Sequence, residues 1–139
     1  MIIGVRPYRK NPMSTHKQHN PGFLSLVNDA KTRVKQVDID GYQKDVSGSD
    51  HVLVDTREDR EWQAGHAKGA IHLSKGVIER DIETKVPDKS TTLVLYCGGG
   101  YRSALVAEAL QKMGYENPIS LDGGWRAWNA AGLPTETPE

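Results

Sequence analysis

The chain has 139 residues, 37% of them hydrophobic and 26% charged, with a formal net charge of zero. That is enough for one packed core without covalent staples and too short for two ordinary domains. A single cysteine, Cys97, excludes an internal disulfide, so any group Cys97 accepts must leave to another molecule.

The charge is unevenly placed. Arg6, Arg9, Lys10 and Lys17 precede the first acidic residue, Asp29, leaving 14 basic against 18 acidic residues in the rest. A mildly acidic body is a poor nucleic-acid surface, and an anionic substrate must be drawn in by a local site. No apolar run approaches the ~18 residues of a membrane span, and Met1–Ile3 is too short for the apolar part of an export signal. The expectation is a cytoplasmic protein that binds neither nucleic acid nor membrane.

Residues 1–21 hold Gly4, Pro7, Pro12 and Pro21 among polar residues without periodicity and read as a flexible tail. His16 and His19 have ligand-like spacing there, but no second pair accompanies them and no metal site is expected. Residues 22–139 read as one domain, with an extra N-terminal helix at about 22–34 and a core at about 36–135. Phe23, Leu24, Leu26, Val27, Ala30 and Val34 recur at helical spacing. A short strand near 36–38 and a polar helix around 40–46 come next.

His51–Asp55 is a short apolar run ending in a polar residue, as buried parallel strands do. Arg57–Gly65 reads as a charged helix closed by glycine, with Glu58, Asp59, Arg60 and Glu61 on a solvated face. Ala70–Leu73 is a second short strand, and Thr91–Tyr96 is the strongest strand signal in the chain. Ser103–Met113 reads as a helix stopped by Gly114. Ile119–Leu121, the turn Asp122-Gly123-Gly124 and a helix Trp125–Ala131 complete the pattern, with Trp125 and Trp128 as core anchors, Trp125 also within reach of the site entrance. Repeated strand-then-helix predicts an α/β fold, a small parallel sheet flanked by helices on both faces. Ligands of such sheets sit beyond the carboxyl ends of the strands, here after Tyr96.

Immediately after Tyr96 the chain reads Cys97-Gly98-Gly99-Gly100-Tyr101-Arg102-Ser103. Three glycines let the backbone curl and turn N–H groups inward, and the start of the next helix adds further free N–H groups. Together these make an anion cradle. Arg102 either contacts the anion directly or braces the loop from outside. A cysteine at the base of the cradle is held as thiolate, the nucleophilic form, without a separate general base.

Four segments in order, V-L-V-D-T-R-E (52–58), G-H-A-K-G-A-I-H-L (65–73), L-V-L-Y-C-G-G-G-Y-R-S-A (93–104) and L-D-G-G-W-R-A-W (121–128), resemble the rhodanese family. The resemblance covers about Val37 to Pro134. It implies the rhodanese fold and sulfur transfer through a Cys97 persulfide, with Gly98, Gly99, Gly100, Tyr101, Arg102 and Ser103 as the binding loop and no cofactor or metal. Asp55 and Arg57 match the family's D-x-R pair and read as structural support for neighbouring loops. Two departures stand out: Gly98 occupies a position that is basic in many relatives, and Tyr101 one that is small and polar.

Phosphatases and arsenate reductases on related folds use a Cys-to-Arg loop one residue longer than the Gly98–Tyr101 spacing here. A smaller cradle suits a single sulfur better than a tetrahedral oxyanion, and the loop offers no general acid for a leaving group. His66 and His72, as bases of a Cys–His hydrolase, lack an identifiable orienting partner. The expected activity moves a sulfane sulfur from a small donor such as thiosulfate to a thiol, cyanide or protein acceptor, in a monomer or weak homodimer. The alternative is a non-turnover relay or regulatory module, with a partner docking on the Phe23–Val34 helix and basic tail.

Overall fold

Leu93 and Leu95 of the Thr92–Tyr96 strand point to one side of the sheet, Val94 and Tyr96 to the other, and all four are fully buried. Only a strand covered on both faces accepts such a run, and this one is the middle of five. The computed structural model describes residues 19–138; the remainder of the expected tail lies outside the described residues.

The strands are β1 (Lys35–Val37), β2 (Val52–Asp55), β3 (His66–Ala67), β4 (Ile71–His72), β5 (Thr92–Tyr96), β6 (Asn117–Leu121) and β7 (Thr135–Glu136). Five form a wholly parallel sheet in the order β1-β6-β5-β2-β4. The fold is α/β with helices on both faces, as expected. On one face α4 (Ile78–Lys85) and α5 (Arg102–Lys112) bury Ile78, Ile82, Val106, Ala107 and Leu110 against Val54, Leu93 and Leu95. On the other, a short helix α2 (Ile39–Gly41) running into a π-turn (Tyr42–Val46), and α6 (Gly124–Ala130), bring Tyr42 and Trp128 onto Leu53, Val94, Tyr96 and Leu121. Each fully buried aliphatic side chain contributes roughly 1.5–3 kcal/mol.

Helix α3 (Asp59–Ala64) starts two residues later than the expected Arg57, because Arg57 is drawn out of the helical path by Asp55. Glu58 and Glu61 close a capping box at its start. Strand β6 begins at Asn117, two residues early, and includes Pro118. The pairing with β1 starts only at Ile119, so the missing Pro118 N–H lies outside that ladder. Two elements are not anticipated by the sequence. Helix α4 offers only Ile78 and Ile82 as an apolar stripe and has Val77, without a capping oxygen, at its start. The antiparallel ribbon of β3 and β7 is two residues long.

Helix α1 (Pro21–Lys31) packs on α5 through the buried Val27 and Ala30. Leu26, expected on its apolar face, is instead 56% exposed. Beyond the helix, Arg33 ties this segment to α5 through Glu108, and Gln111 donates to the Arg33 carbonyl.

Candidate active site

Strand β5 delivers Cys97 to the carboxyl edge of the sheet, and α5 begins five residues later at Arg102. Between them the loop folds back on the sulfur. The N–H of Gly100 donates to Cys97 Sγ at 3.2 Å and that of Ser103 at 3.4 Å. Ser103 Oγ lies 3.5 Å from the same sulfur and 2.8 Å from Ser120 Oγ. The cysteine is 1% exposed. Burial opposes ionisation of the thiol, but the Ser103 hydroxyl and the N–H groups of Ser103, Gly99 and Gly100 outweigh it and hold the thiol below its ordinary value.

The first two peptides of the loop are held by α6 through their carbonyls. Trp125 N–H donates to the Cys97 carbonyl at 2.7 Å and Arg126 N–H to the Gly98 carbonyl at 3.2 Å. This close approach requires Gly124, where a Cβ would collide with the Cys97 carbonyl oxygen. Gly100 is equally constrained. Its φ is +96°, and a Cβ there would come within 3.1–3.2 Å of the Leu121–Gly123 backbone.

A cavity of about 290 Å³ opens above the sulfur. Its walls include Gly98, Gly99, Tyr101, Arg102, Glu61 and Arg126. Of the two roles open to Arg102, the geometry is that of a brace: both terminal nitrogens reach Glu61, at 3.2 and 3.3 Å. Burial opposes ionisation of Glu61, while the Arg102 hydrogen bond, the Glu58 backbone and the nearby guanidinium charges hold its carboxyl below the usual range. Glu61 is therefore not a purely solvated residue. The first turn of α3 points it at the loop, and the side chain is only 28% exposed.

Helix α1 supplies another wall. The Tyr101 ring lies 4.3 Å from the His19 ring and 6.3 Å from that of Phe23, with Lys31 Nζ 4.9 Å from its centroid. His19, assigned from sequence to the tail, is packed against the site. Arg126, Ser120 and Glu61 were not identified as site residues from sequence. The one signal in the sequence is Ser120, a hydroxyl set between the apolar Ile119 and Leu121, and it does not reveal its partner.

Asp55 and Arg57 lie behind the loop and do not line the cavity. Arg57 donates to both Asp55 oxygens and, at 2.6 Å, to the Gly65 carbonyl. Tyr96 Oη donates to Asp55 at 2.7 Å and accepts the Ala67 N–H at 3.0 Å. Burial, followed by the Asp55 charge, drives the Tyr96 phenol far above its ordinary value, so it stays a donor. The network pins the residue immediately before Cys97. Trp125 covers Arg57 at 4.5 Å rather than reaching the cavity, and Trp128 is a buried core residue. His66 and His72 stack on Trp62, with ring centroids 3.4 and 4.9 Å away, and neither lines the cavity.

The model of the rhodanese-like domain family matches residues 38–131. The thiosulfate sulfurtransferase GlpE of Vibrio cholerae is 32% identical over 100 residues, covering 72% of this chain and 92% of that protein. A Rhodopseudomonas palustris protein of unknown function, described as a possible tyrosine phosphatase, matches with a TM-score of 0.70 at 27% identity, covering 88% of this chain and all of that one. The polysulfide-sulfur transferase of Wolinella succinogenes, a homodimer, matches at a TM-score of 0.71 and 24% identity, over 85% of this chain and 89% of its own. With its sheet order, its loop after β5 and this match over most of its length, the chain belongs to the rhodanese-like domain family.

Proposed function

We propose that the protein is a sulfurtransferase that carries sulfur on Cys97. The observation that carries this reading is the pair of N–H groups, of Gly100 and Ser103, that donate to one sulfur atom at the floor of an open cavity, with the Ser103 hydroxyl accepting from the thiol and placed to donate to it once it is ionised. Such a cradle stabilises a thiolate before the reaction and the anionic persulfide after it. Thiosulfate sulfurtransferases among the relatives support the same chemistry.

In the first half-reaction the Cys97 thiolate attacks the outer sulfur of thiosulfate. The donor's S–S bond breaks, its electron pair leaves with sulfite, and Cys97 becomes a persulfide. In the second, a thiophile such as cyanide or a thiol attacks the outer sulfur, and the Cys97 thiolate is regenerated. No redox partner is consumed. Asp55, Arg57 and Tyr96 act behind the loop as positioning residues, and Arg102 with Glu61 sets its outer edge.

The short Cys97-to-Arg102 spacing and the engagement of Arg102 by Glu61 argue against a phosphatase, whose oxyanion needs a free guanidinium. Incubation with thiosulfate, intact-mass analysis and cyanide-dependent thiocyanate formation test the reading. The expected result is gain of one sulfur atom, absent in Cys97→Ser, together with turnover. Loading without turnover would assign the relay role, and no loading from any sulfane donor would refute sulfur transfer.

A further inference from the structure

Apart from Cys97 and His19, the ionisable side chains around the cavity hold one more cation than carboxylate. Three guanidinium groups, Arg60, Arg102 and Arg126, and two carboxylates, Glu58 and Glu61, line it. Arg102 is paired with Glu61 at 3.2 Å, and Arg60 with Glu58 at 3.4 Å. Among the described residues, Arg126 makes no ion pair. Its backbone is fixed beside the loop by the bond to the Gly98 carbonyl. Its guanidinium lies directly against the two residues after Cys97: a Cβ at Gly99 would sit 3.4 Å from Nη1 and 3.6 Å from Cζ, and one at Gly98 would sit 4.0 Å from Nη2. These are ordinary contact distances, so the guanidinium lies close over the loop beside Cys97. A positive charge with open coordination, facing the same cavity as a nucleophilic sulfur, is a site for an anion.

We infer that Arg126 anchors the anionic half of the sulfur donor, a sulfonate or carboxylate carried by the leaving group. The inference rests on the reading of Cys97 as the sulfur carrier. With thiosulfate, Arg126 holds the sulfonate oxygens while the Cys97 thiolate attacks the outer sulfur. The S–S bond breaks, its electrons depart on sulfite, and Arg126 transfers no proton. Arg60 is less suited to this place, because it is turned towards Glu58.

The test is steady-state kinetics at saturating acceptor for the wild type, R126A, R126K and, as a surface control outside the cavity, R80A, with two donors. Thiosulfate carries an anionic leaving half; 2-hydroxyethyl persulfide carries no sulfonate or carboxylate. R126A is expected to lower kcat/KM for thiosulfate roughly tenfold, the lower end for an exposed charge-assisted contact. For the persulfide it should change kcat/KM by less than about twofold. R126K should recover most of the loss, and R80A should stay within about twofold for both donors. Wild-type kcat/KM for thiosulfate should also fall as salt is added, more steeply than for the persulfide. An unchanged thiosulfate value in R126A, an equal loss for both donors, or R126K no better than R126A would overturn the assignment. If the wild type takes no sulfur from either donor, the fault lies instead with the reading of Cys97.

Discussion

Ser103→Ala removes one hydroxyl from the sulfur cradle and leaves the Ser103 N–H in place. Its oxygen is 3.5 Å from Cys97 Sγ, long for a charge-assisted bond, so the loss is set at about 1.5 kcal/mol. That raises the Cys97 pKa by about one unit. Only the thiolate reacts, so the acid limb of reactivity moves to higher pH. On the acid side of both pKa values the thiolate fraction falls about tenfold. A more basic thiolate is also more nucleophilic, with a Brønsted slope of about 0.4–0.5, which returns about threefold. The net expectation is a loss of about three- to fourfold at low pH and a gain of about threefold on the alkaline plateau. Alkylation by neutral iodoacetamide across pH measures both, with Ser103→Thr as the hydroxyl-retaining control. The two profiles must cross. A variant curve that keeps its midpoint and is lowered equally at all pH values, or one whose midpoint moves down, would refute the hydroxyl's role in stabilising the thiolate.

Tyr96→Phe leaves the buried Asp55 carboxylate and the Ala67 N–H each short of a partner. It is expected to cost about 1–3 kcal/mol in chemical denaturation. Gly124→Ala places a Cβ on the Cys97 carbonyl and imposes a side chain where φ is +51°. Loss of more than about 2 kcal/mol is expected, with loss of sulfur loading by intact mass, and a fully loaded, stable variant would contradict the close contact between α6 and the loop. Glu61→Gln removes a partly exposed charge, so stability should change by less than about 1 kcal/mol in thermal melts. It frees Arg102 towards the cavity, and KM for thiosulfate is expected to fall rather than rise.

The sheet core is legible in the sequence because its signals are local. Leu93–Tyr96 is a contiguous run of β-formers, and Val106 and Leu110 lie one helical turn apart. Cys97 stands out for the same reason, lying between a strand and three glycines. Helix α4 is not legible, since Ile78 and Ile82 alone stand among charged residues and nothing caps its start. The residues missed around the cavity share a different cause. Glu61 meets Arg102 across 41 residues of chain, and Ser103 meets Ser120 across 17. These contacts depend on which strands become neighbours, which no local spacing encodes. Arg126 sits within the L-D-G-G-W-R-A-W segment, yet its proximity to Gly99 becomes visible only once α6 is seen folding over the loop. Asp55 and Arg57 are legible as a pair, two residues apart at a strand end, but their third member, Tyr96, is not.

The bonds from α6 to the Cys97 and Gly98 carbonyls have a consequence for how the site handles charge. Both carbonyls are committed to the helix, so the Cys97–Gly98 and Gly98–Gly99 peptide planes cannot rotate without breaking a bond to it. The Gly99 N–H, which belongs to the second of these planes and stabilises the Cys97 thiolate, is thereby held in place before any reaction begins. Water around a free thiol must reorient each time negative charge moves from one sulfur atom to the next; this backbone does not. On the proposed reading, a sulfur added to Cys97 meets a field that is in part already oriented, which lowers the reorganisation energy of loading and unloading. The loaded and empty loops should superimpose, so that repeated turnover leaves no trace in the backbone.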